Sequence, residues 1–278
     1  MTLIFTAFAV VAAIGLFVGV LLALVSHFFG VPEDVRVKEL RGMLPGVNCG
    51  ACGYKGCDDY AAALAAGTAA PNLCIPGGAD VAASLAEYVG GEAGEVQATV
   101  AFVKCNRCGA KTAGESGYEG VSSCKAAAML YGGPFDCRYA CLGLGDCAAV
   151  CPVGAICMRD GIAHVDATRC IGCGLCAAGC PKHVIGMLPK TATVAVMCSN
   201  RDKGAVARKV CDNACIACKK CEKTCPNGAI TVENNLVVID YTKCTKCGLC
   251  AESCPTGCLK NVFFPNLPED YTITKNGK

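Results

Sequence analysis

The chain has 278 residues, 27 of them cysteine, with no tryptophan, 17% charged residues and a formal net charge of +2. With so small a net charge nothing suggests nucleic-acid binding by bulk electrostatics, and neither the length nor the N-terminal sequence suits a short secreted disulfide scaffold. The cysteines fall in runs of four ending in Cys-Pro, the pattern of iron–sulfur ligation rather than the separated pairs of structural zinc.

From Thr2 to Gly30 there is no Asp, Glu, Lys or Arg. A helix needs about 20 apolar residues to cross the hydrocarbon core, so residues 1–30 are predicted to be a transmembrane anchor. No basic region precedes the run, and it closes on His27-Phe28-Phe29-Gly30, unlike a signal peptide. His27 reads as an interfacial residue. Charges begin at Glu33, Asp34, Arg36, Lys38, Glu39 and Arg41. The basic ones favour the cytoplasmic side, and so does the need to keep many thiolates reduced. A single-pass protein of the inner membrane, its body in the cytoplasm, is expected.

Residues 31–95 form the next predicted unit. Asn48-Cys49-Gly-Ala-Cys52-Gly-Tyr-Lys-Gly-Cys57 makes a Gly-rich loop able to wrap a cubane and offer it N–H groups. A helix from Asp58 to Ala66 would bring Cys74 back to that loop. Cys49, Cys52, Cys57 and Cys74 are expected to hold one [4Fe–4S] cluster.

The second half repeats itself. Cys215-x2-Cys218-x2-Cys221-x3-Cys225-Pro226 is followed by Cys244-x2-Cys247-x2-Cys250-x3-Cys254-Pro255. In this two-cluster ferredoxin pattern the fourth cysteine of each run reaches the other cluster. Cys215, Cys218, Cys221 and Cys254 are therefore expected at one cluster, and Cys225, Cys244, Cys247 and Cys250 at its neighbour. Ala229–Glu233 and Leu236–Asp240 read as strands turning at Asn234-Asn235.

An earlier copy lies 74 residues upstream, with Cys170, Cys173, Cys176, Cys180 and Pro181 complete. Its first half runs Cys141-Leu-Gly-Leu-Gly-Asp-Cys147-Ala-Ala-Val-Cys151-Pro152, with Leu144 at the place of Cys218. Cys151, Cys170, Cys173 and Cys176 make one expected set, and Cys141, Cys147 and Cys180 lack a fourth ligand. Cys137 precedes Cys141 by four positions, just as Cys211 precedes Cys215. Either Cys137 completes the defective set, which is the preferred reading, or it joins Cys105, Cys108 and Cys124 in a further cluster. Cys198 and Cys211 are additional candidates. Cys157 and Cys258 read as buried free thiols. Five clusters are expected, or six on the second reading.

Together, the N-terminal span, the Asn48–Cys57 module and the Cys-Pro ferredoxin modules resemble the iron–sulfur B-subunit of the Rnf complex, an ion-translocating ferredoxin:NAD oxidoreductase. The stretch Tyr139-Ala-Cys141-Leu-Gly-Leu-Gly-Asp-Cys147 looks like the long form of strict anaerobes. The resemblance implies electron transfer from soluble ferredoxin to multi-span membrane and flavin-bearing subunits, for NAD reduction coupled to Na+ or H+ translocation. The same architecture run backward, or an iron–sulfur subunit of another membrane reductase or hydrogenase, are the alternatives.

The residues themselves describe a conduit. No Gly-x-Gly-x-x-Gly opens a helix after a strand, so no nicotinamide or flavin fingerprint is present, and no catalytic constellation surrounds His27, His164 or His183. From Arg201 to Lys278 there are 12 Lys and Arg against 8 Asp and Glu. Lys219, Lys220, Lys223, Lys243 and Lys246 near the last clusters are placed to steer an acidic ferredoxin. The predicted class is α+β: anchor 1–30, single-cluster domain 31–95, a first ferredoxin-like module with a Cys-rich lead-in at 96–197, and a second at 198–278. The expected partners are the other complex subunits, ferredoxin and the lipid bilayer, with no nucleic acid.

Overall fold

The computed structural model describes residues 2–29, 34–107, 118–130 and 132–262. Cys108, one of the candidate ligands, lies outside them. The chain opens with helix α1 (Thr2–Phe29), whose stretch Ile4–Val25 has a mean hydropathy of 2.9 over 22 residues and is buried nowhere against the rest of the protein. Length and composition suit a membrane crossing, and none of its described side chains enters a core of the body.

Three helices follow. α2 (Val35–Met43) is capped by Asp34, whose carboxylate accepts from the Arg36 N–H at 2.9 Å, satisfying a donor that a helix N-terminus leaves without an intrahelical partner. α3 (Cys57–Ala65) and α4 (Gly78–Val89) close with α2 around Leu40, Leu44, Tyr60, Leu64 and Leu85. Cys57 and Cys74 belong to this small core, so the thiols are part of its packing rather than an appendage.

Residues from 99 onward build two units of one design. In the first, β1 (Thr99–Val103) is followed by α5 (Cys124–Met129), α6 (Asp146–Ala149), β2 (Ile156–Arg159), β3 (Ile162–Val165), α7 (Leu175–Gly179) and β4 (Ile185–Pro189). In the second, β5 (Val194–Val196) is followed by α8 (Gly204–Val210), α9 (Lys220–Thr224), β6 (Ile230–Glu233), β7 (Leu236–Ile239), α10 (Leu249–Glu252) and β8 (Leu259–Asn261). Each unit has an inner hairpin. β2 pairs with β3 from Ile156↔Val165 to Arg159↔Ile162, and β6 with β7 from Ile230↔Ile239 to Glu233↔Leu236. The turns are Asp160-Gly161 and Asn234-Asn235, all four at positive φ, as a two-residue type I′ hairpin requires.

Each unit also closes its ends with an antiparallel pair: β1 on β4, from Thr99↔Pro189 to Val103↔Ile185, and β5 on β8, from Val194↔Asn261 to Val196↔Leu259. β5 thus belongs to the second unit, and the division by strand pairing falls before Val194 rather than after residue 197. Pairing to a strand at the far end of the unit overrides nearness to β4 in sequence. Two cores result, one around Val100, Ile156, Val184 and Leu188, the other around Val194, Ile230, Val237 and Leu259. Both count cysteines among their buried members.

Candidate functional site

The four cysteine runs share one backbone shape. Counting from the first cysteine of each run, the second and fourth residues after it lie at positive φ: Gly143 and Gly145, Gly172 and Gly174, Ala217 and Lys219, Lys246 and Gly248. Such alternation turns successive N–H groups toward one side, a concavity that binds anions. The loop around Leu144 keeps this shape although the middle cysteine is gone. Gly143 is also held by space, because a Cβ there would stand 2.3 Å from the Gly161 carbonyl oxygen on the β2–β3 turn. A short helix leaves each loop (α6, α7, α9, α10), with the cysteine six residues after the first in its first turn.

The thiols line cavities between these loops and the strands. Every described cysteine is free of a disulfide. Among the described residues, no three His, Cys, Asp or Glu side chains close on one point as ligands of a single ion would. They surround spaces of about 280–350 Å³ instead. A multi-iron cluster needs that arrangement, since it fills a volume and takes one thiolate on each of four irons.

Cys49, Cys52, Cys57 and Cys74 surround the first such space, of about 310 Å³, with Pro45, Val47 and Tyr60. The Asn48 side-chain oxygen accepts from the Cys57 N–H at 2.9 Å, tying the start of the loop to the start of α3. Tyr60 is buried, donates to the Ala70 carbonyl at 2.7 Å and accepts from the Leu73 N–H at 3.4 Å, and so fixes the approach to Cys74. Burial pushes the Tyr60 hydroxyl up to about 12. It is a donor at any physiological pH.

The second space, of about 350 Å³, is lined by Cys141, Cys147, Cys180 and Cys124, with Met158 and Lys182. Cys137 is not there. The reason lies in α5, which begins at Cys124. Asp146, beside Cys147, accepts from the Ser123 hydroxyl and from the Lys125 N–H, both at 3.0 Å. Burial disfavours this carboxylate, but backbone donation from Lys125 and Cys124 and the Ser123 hydroxyl outweigh it and hold the pKa below the usual range. A carboxylate at the α5 N-terminus is favourable electrostatically, and it docks Cys124 against the loop that lost its middle thiol. Leu144 packs beside Cys124, Ala127 and Leu142. Spacing alone offered Cys137 for this place; the capping contact from Asp146 was the signal that spacing did not carry. Burial, followed by its neighbours Cys141, Cys124, Cys180 and Cys176, pushes the Cys147 thiol up to about 12. As a free thiol it holds its proton at neutral pH, so ligation to iron exchanges proton for metal.

Three stretches of the chain match known iron–sulfur families. Residues 44–76 match the FeS family of Fe–S cluster domains, 162–185 a 4Fe-4S binding domain and 214–258 a 4Fe-4S dicluster domain. Over 236 residues the chain is 43% identical to the B-subunit of the Na(+)-translocating ferredoxin:NAD(+) oxidoreductase complex of Acetobacterium woodii, covering 84% of this chain and 71% of that one. It is 40% identical to the B-subunit of the ion-translocating oxidoreductase complex of Methanosarcina acetivorans, covering 85% and 90%. It is 41% identical to the B-subunit of the proton-translocating ferredoxin:NAD(+) oxidoreductase complex of Clostridium ljungdahlii, covering 84% of each. The chain belongs to the Rnf B-subunit family. It is an iron–sulfur electron-transfer subunit of the Rnf complex, bearing 4Fe-4S domains.

Within this Rnf subunit, a third space of about 280 Å³ is lined by Cys215, Cys218, Cys221 and Cys254 together with Cys258. Cys258 is almost wholly buried, its sulfur 3.7 Å from that of Cys254. It is the buried free thiol that its place after Cys-Pro suggested, and its sulfur also touches that of a candidate ligand. Hydrogen bonding with Cys258 is the largest influence on Cys215 and Cys254 and lowers both, while the same two contacts push the Cys258 thiol up. A donor on ligand sulfur stabilises the added electron and raises a cluster's potential. C258A is therefore expected to lower the potential of one cluster in an EPR-monitored redox titration, with C258S between the two. Identical potentials in all three proteins would refute this role. Cys157, half-buried on β2 opposite His164, lines none of these spaces.

The thiols of two further sets keep close company. Burial raises the Cys176 thiol to about 11, followed by Cys170 and Cys173 and, more weakly, Cys151. Cys250 is raised by burial and then by Cys244 and Cys247, and Cys225 packs in the same core. The remaining candidates, Cys105, Cys137, Cys198 and Cys211, share a space of about 290 Å³.

Proposed function

We propose that this Rnf subunit accepts electrons from reduced ferredoxin and carries them through a row of [4Fe–4S] clusters toward membrane and flavin subunits. There they reduce NAD+, coupled to translocation of Na+ or H+. Two electrons from ferredoxin, with one proton, make NADH from NAD+ at another subunit. Five clusters are assigned to the Cys49 set, the Cys151 set, the Cys215 set, the Cys225 set and the set of Cys141, Cys147 and Cys180 completed by Cys124. The chain's own residues ligate the iron, donate hydrogen bonds to sulfur and exclude water.

The observation that carries this reading is adjacency. The Cys170 loop lies against the single-cluster domain, since a Cβ at Gly172 would stand 3.1 Å from the Ile75 side chain, and Cys147, Cys170 and Cys176 share one buried core. On this reading the single-cluster domain, the Cys151 set and the Cys124 set are successive neighbours in the row. At the far end Cys218 and Cys247 are exposed, which suits the arrival of a soluble donor. At the near end the Cys49 domain follows α1 directly in sequence. α1 is read as a single span, with Arg36, Lys38 and Arg41 marking the cytoplasmic face. The ion path is assigned to other subunits, because no charged residue lies between Thr2 and Gly30.

Lys219, Lys220, Lys223, Lys243 and Lys246 are all exposed around the far end. Lys219 lies 3.8 Å from Glu222 and Lys243 3.4 Å from Asp240, so the patch is basic but partly neutralised. Charge reversal at Lys219 and Lys220 is expected to slow reduction by ferredoxin about tenfold at low salt. The difference should shrink as the Debye length falls to about 8 Å at physiological ionic strength. Stopped-flow rates that do not differ at low salt would place the docking surface elsewhere.

A further inference from the structure

We propose that Cys105, Cys137, Cys198 and Cys211 hold an additional [4Fe–4S] cluster at the junction of the two ferredoxin-like units, and that it relays electrons between them. The relay role rests on the reading of the chain as a conduit; the ligand set does not.

The set follows from the internal repeat. Each unit supplies one cysteine two residues beyond its first strand, Cys105 after Val103 and Cys198 after Val196. Each supplies another four residues before its first run, Cys137 before Cys141 and Cys211 before Cys215. The matching backbone bonds agree, since Lys104 N–H donates to Val184 and Met197 N–H to Cys258, both at 2.7 Å. The two halves of the site are therefore equivalent positions of two copies that face each other. Neither copy alone has four thiols there. This is why spacing within one copy cannot reveal the site.

The surroundings suit a multi-iron anion. Backbone N–H groups of Asn200 and Cys215 both donate to the Cys198 sulfur at 3.4 Å, and the Asn200 side-chain amide donates to the Cys137 sulfur at 3.6 Å. Asn200 is 1% exposed, an expensive place for an amide unless its bonds are made. Its oxygen accepts from the Asp202 N–H at 2.7 Å. Lys104 and Arg107 line the same space, and Arg107 Nη1 is buried without a hydrogen-bond partner among the described residues. An iron–sulfur cluster with four thiolates is an anion and would answer that charge. The units are stitched around the site by Ser199, which donates toward the Lys104 and Tyr139 carbonyls at 3.2 Å, and by Asn213, which donates to the Asn106 carbonyl at 2.9 Å.

The position also bridges the row. Cys105 packs against the core that holds Cys141, and the Cys198 sulfur accepts a hydrogen bond from the Cys215 N–H. The Cys124 set and the Cys215 set would otherwise have only protein between them. With clusters bound, one electron would pass at a time, the Cys215 side being oxidised and the Cys124 side reduced, with no bond made or broken.

The test uses the full chain purified anaerobically in detergent. Six clusters correspond to about 24 irons and as many sulfides per chain, and five to about 20. C198S/C211S is expected to lose about four irons and one EPR-active centre, while C124S loses its own four independently. Alkylation mapping keeps the result interpretable if the double variant folds poorly. In the wild-type holoprotein Cys105, Cys137, Cys198 and Cys211 should resist labelling together and become labelled after iron is removed. Labelling of these four in the holoprotein, or zinc bound in their place, overturns the proposal. Retention of iron in C124S would instead overturn the five-cluster reading.

Discussion

Replacing Cys124 by serine is expected to remove one whole cluster and to stop electron flow between ferredoxin and the membrane side of the complex. Cys124 lines the space shared with Cys141, Cys147 and Cys180, where Leu144 has displaced the usual middle ligand. Loss of an outer partner of a metal site costs about 10–100-fold in affinity or activity, and loss of a ligand should cost more. The effect on flow is larger still, because tunnelling falls exponentially with distance and this set stands between its neighbours. Iron analysis with EPR, then turnover with ferredoxin and NAD+, measures both. D146N should give a weaker form of the same defect, since the carboxylate positions α5 through Ser123 and Lys125. A C124S protein with its full iron content would show that the fourth ligand is another residue.

Removal of residues 2–29 is expected to release the subunit from the membrane while leaving its clusters in place. α1 is 28 residues long, and Ile4–Val25 makes no buried contact with the body. The three cysteine-bearing units have their own cores. A single charge tests the same point more gently. I14R sets about 2.5–3.5 kcal/mol against insertion of the helix centre, so part of the protein should move to the soluble fraction. Fractionation with iron quantitation distinguishes the outcomes, and persistent membrane binding of the truncated chain would assign anchoring to its partners.

Much of the fold could be read from the sequence because its signals are local. The Cys-Pro runs, the Asn234-Asn235 turn and the uncharged stretch from Thr2 to Gly30 each specify their own neighbourhood. What escaped was long-range. β5 lies only a few residues after β4 yet pairs with β8, since closing the second unit buries Val194 and Leu259 together. Cys124 reaches its cavity through the carboxylate of Asp146, a distant contact that no periodicity encodes. Cys137 looked like the missing ligand of its own run and Cys211 like an unassigned candidate, while the structure gathers them with Cys105 and Cys198 across two copies. Cys258 looked apolar by position; its sulfur–sulfur contact with Cys254 depends on how the chain turns after Pro255.

Electrons from ferredoxin are expected to enter at the far unit and to reach the Cys49 cluster last, through every set between. Freeze-quench EPR of the intact complex mixed with reduced ferredoxin tests this directly, with wild type and C124S compared. In C124S the Cys215 and Cys225 clusters should be reduced at the wild-type rate while the Cys49 cluster stays oxidised. Reduction of the Cys49 cluster at the wild-type rate in a C124S complex lacking its cluster would contradict that order of transfer.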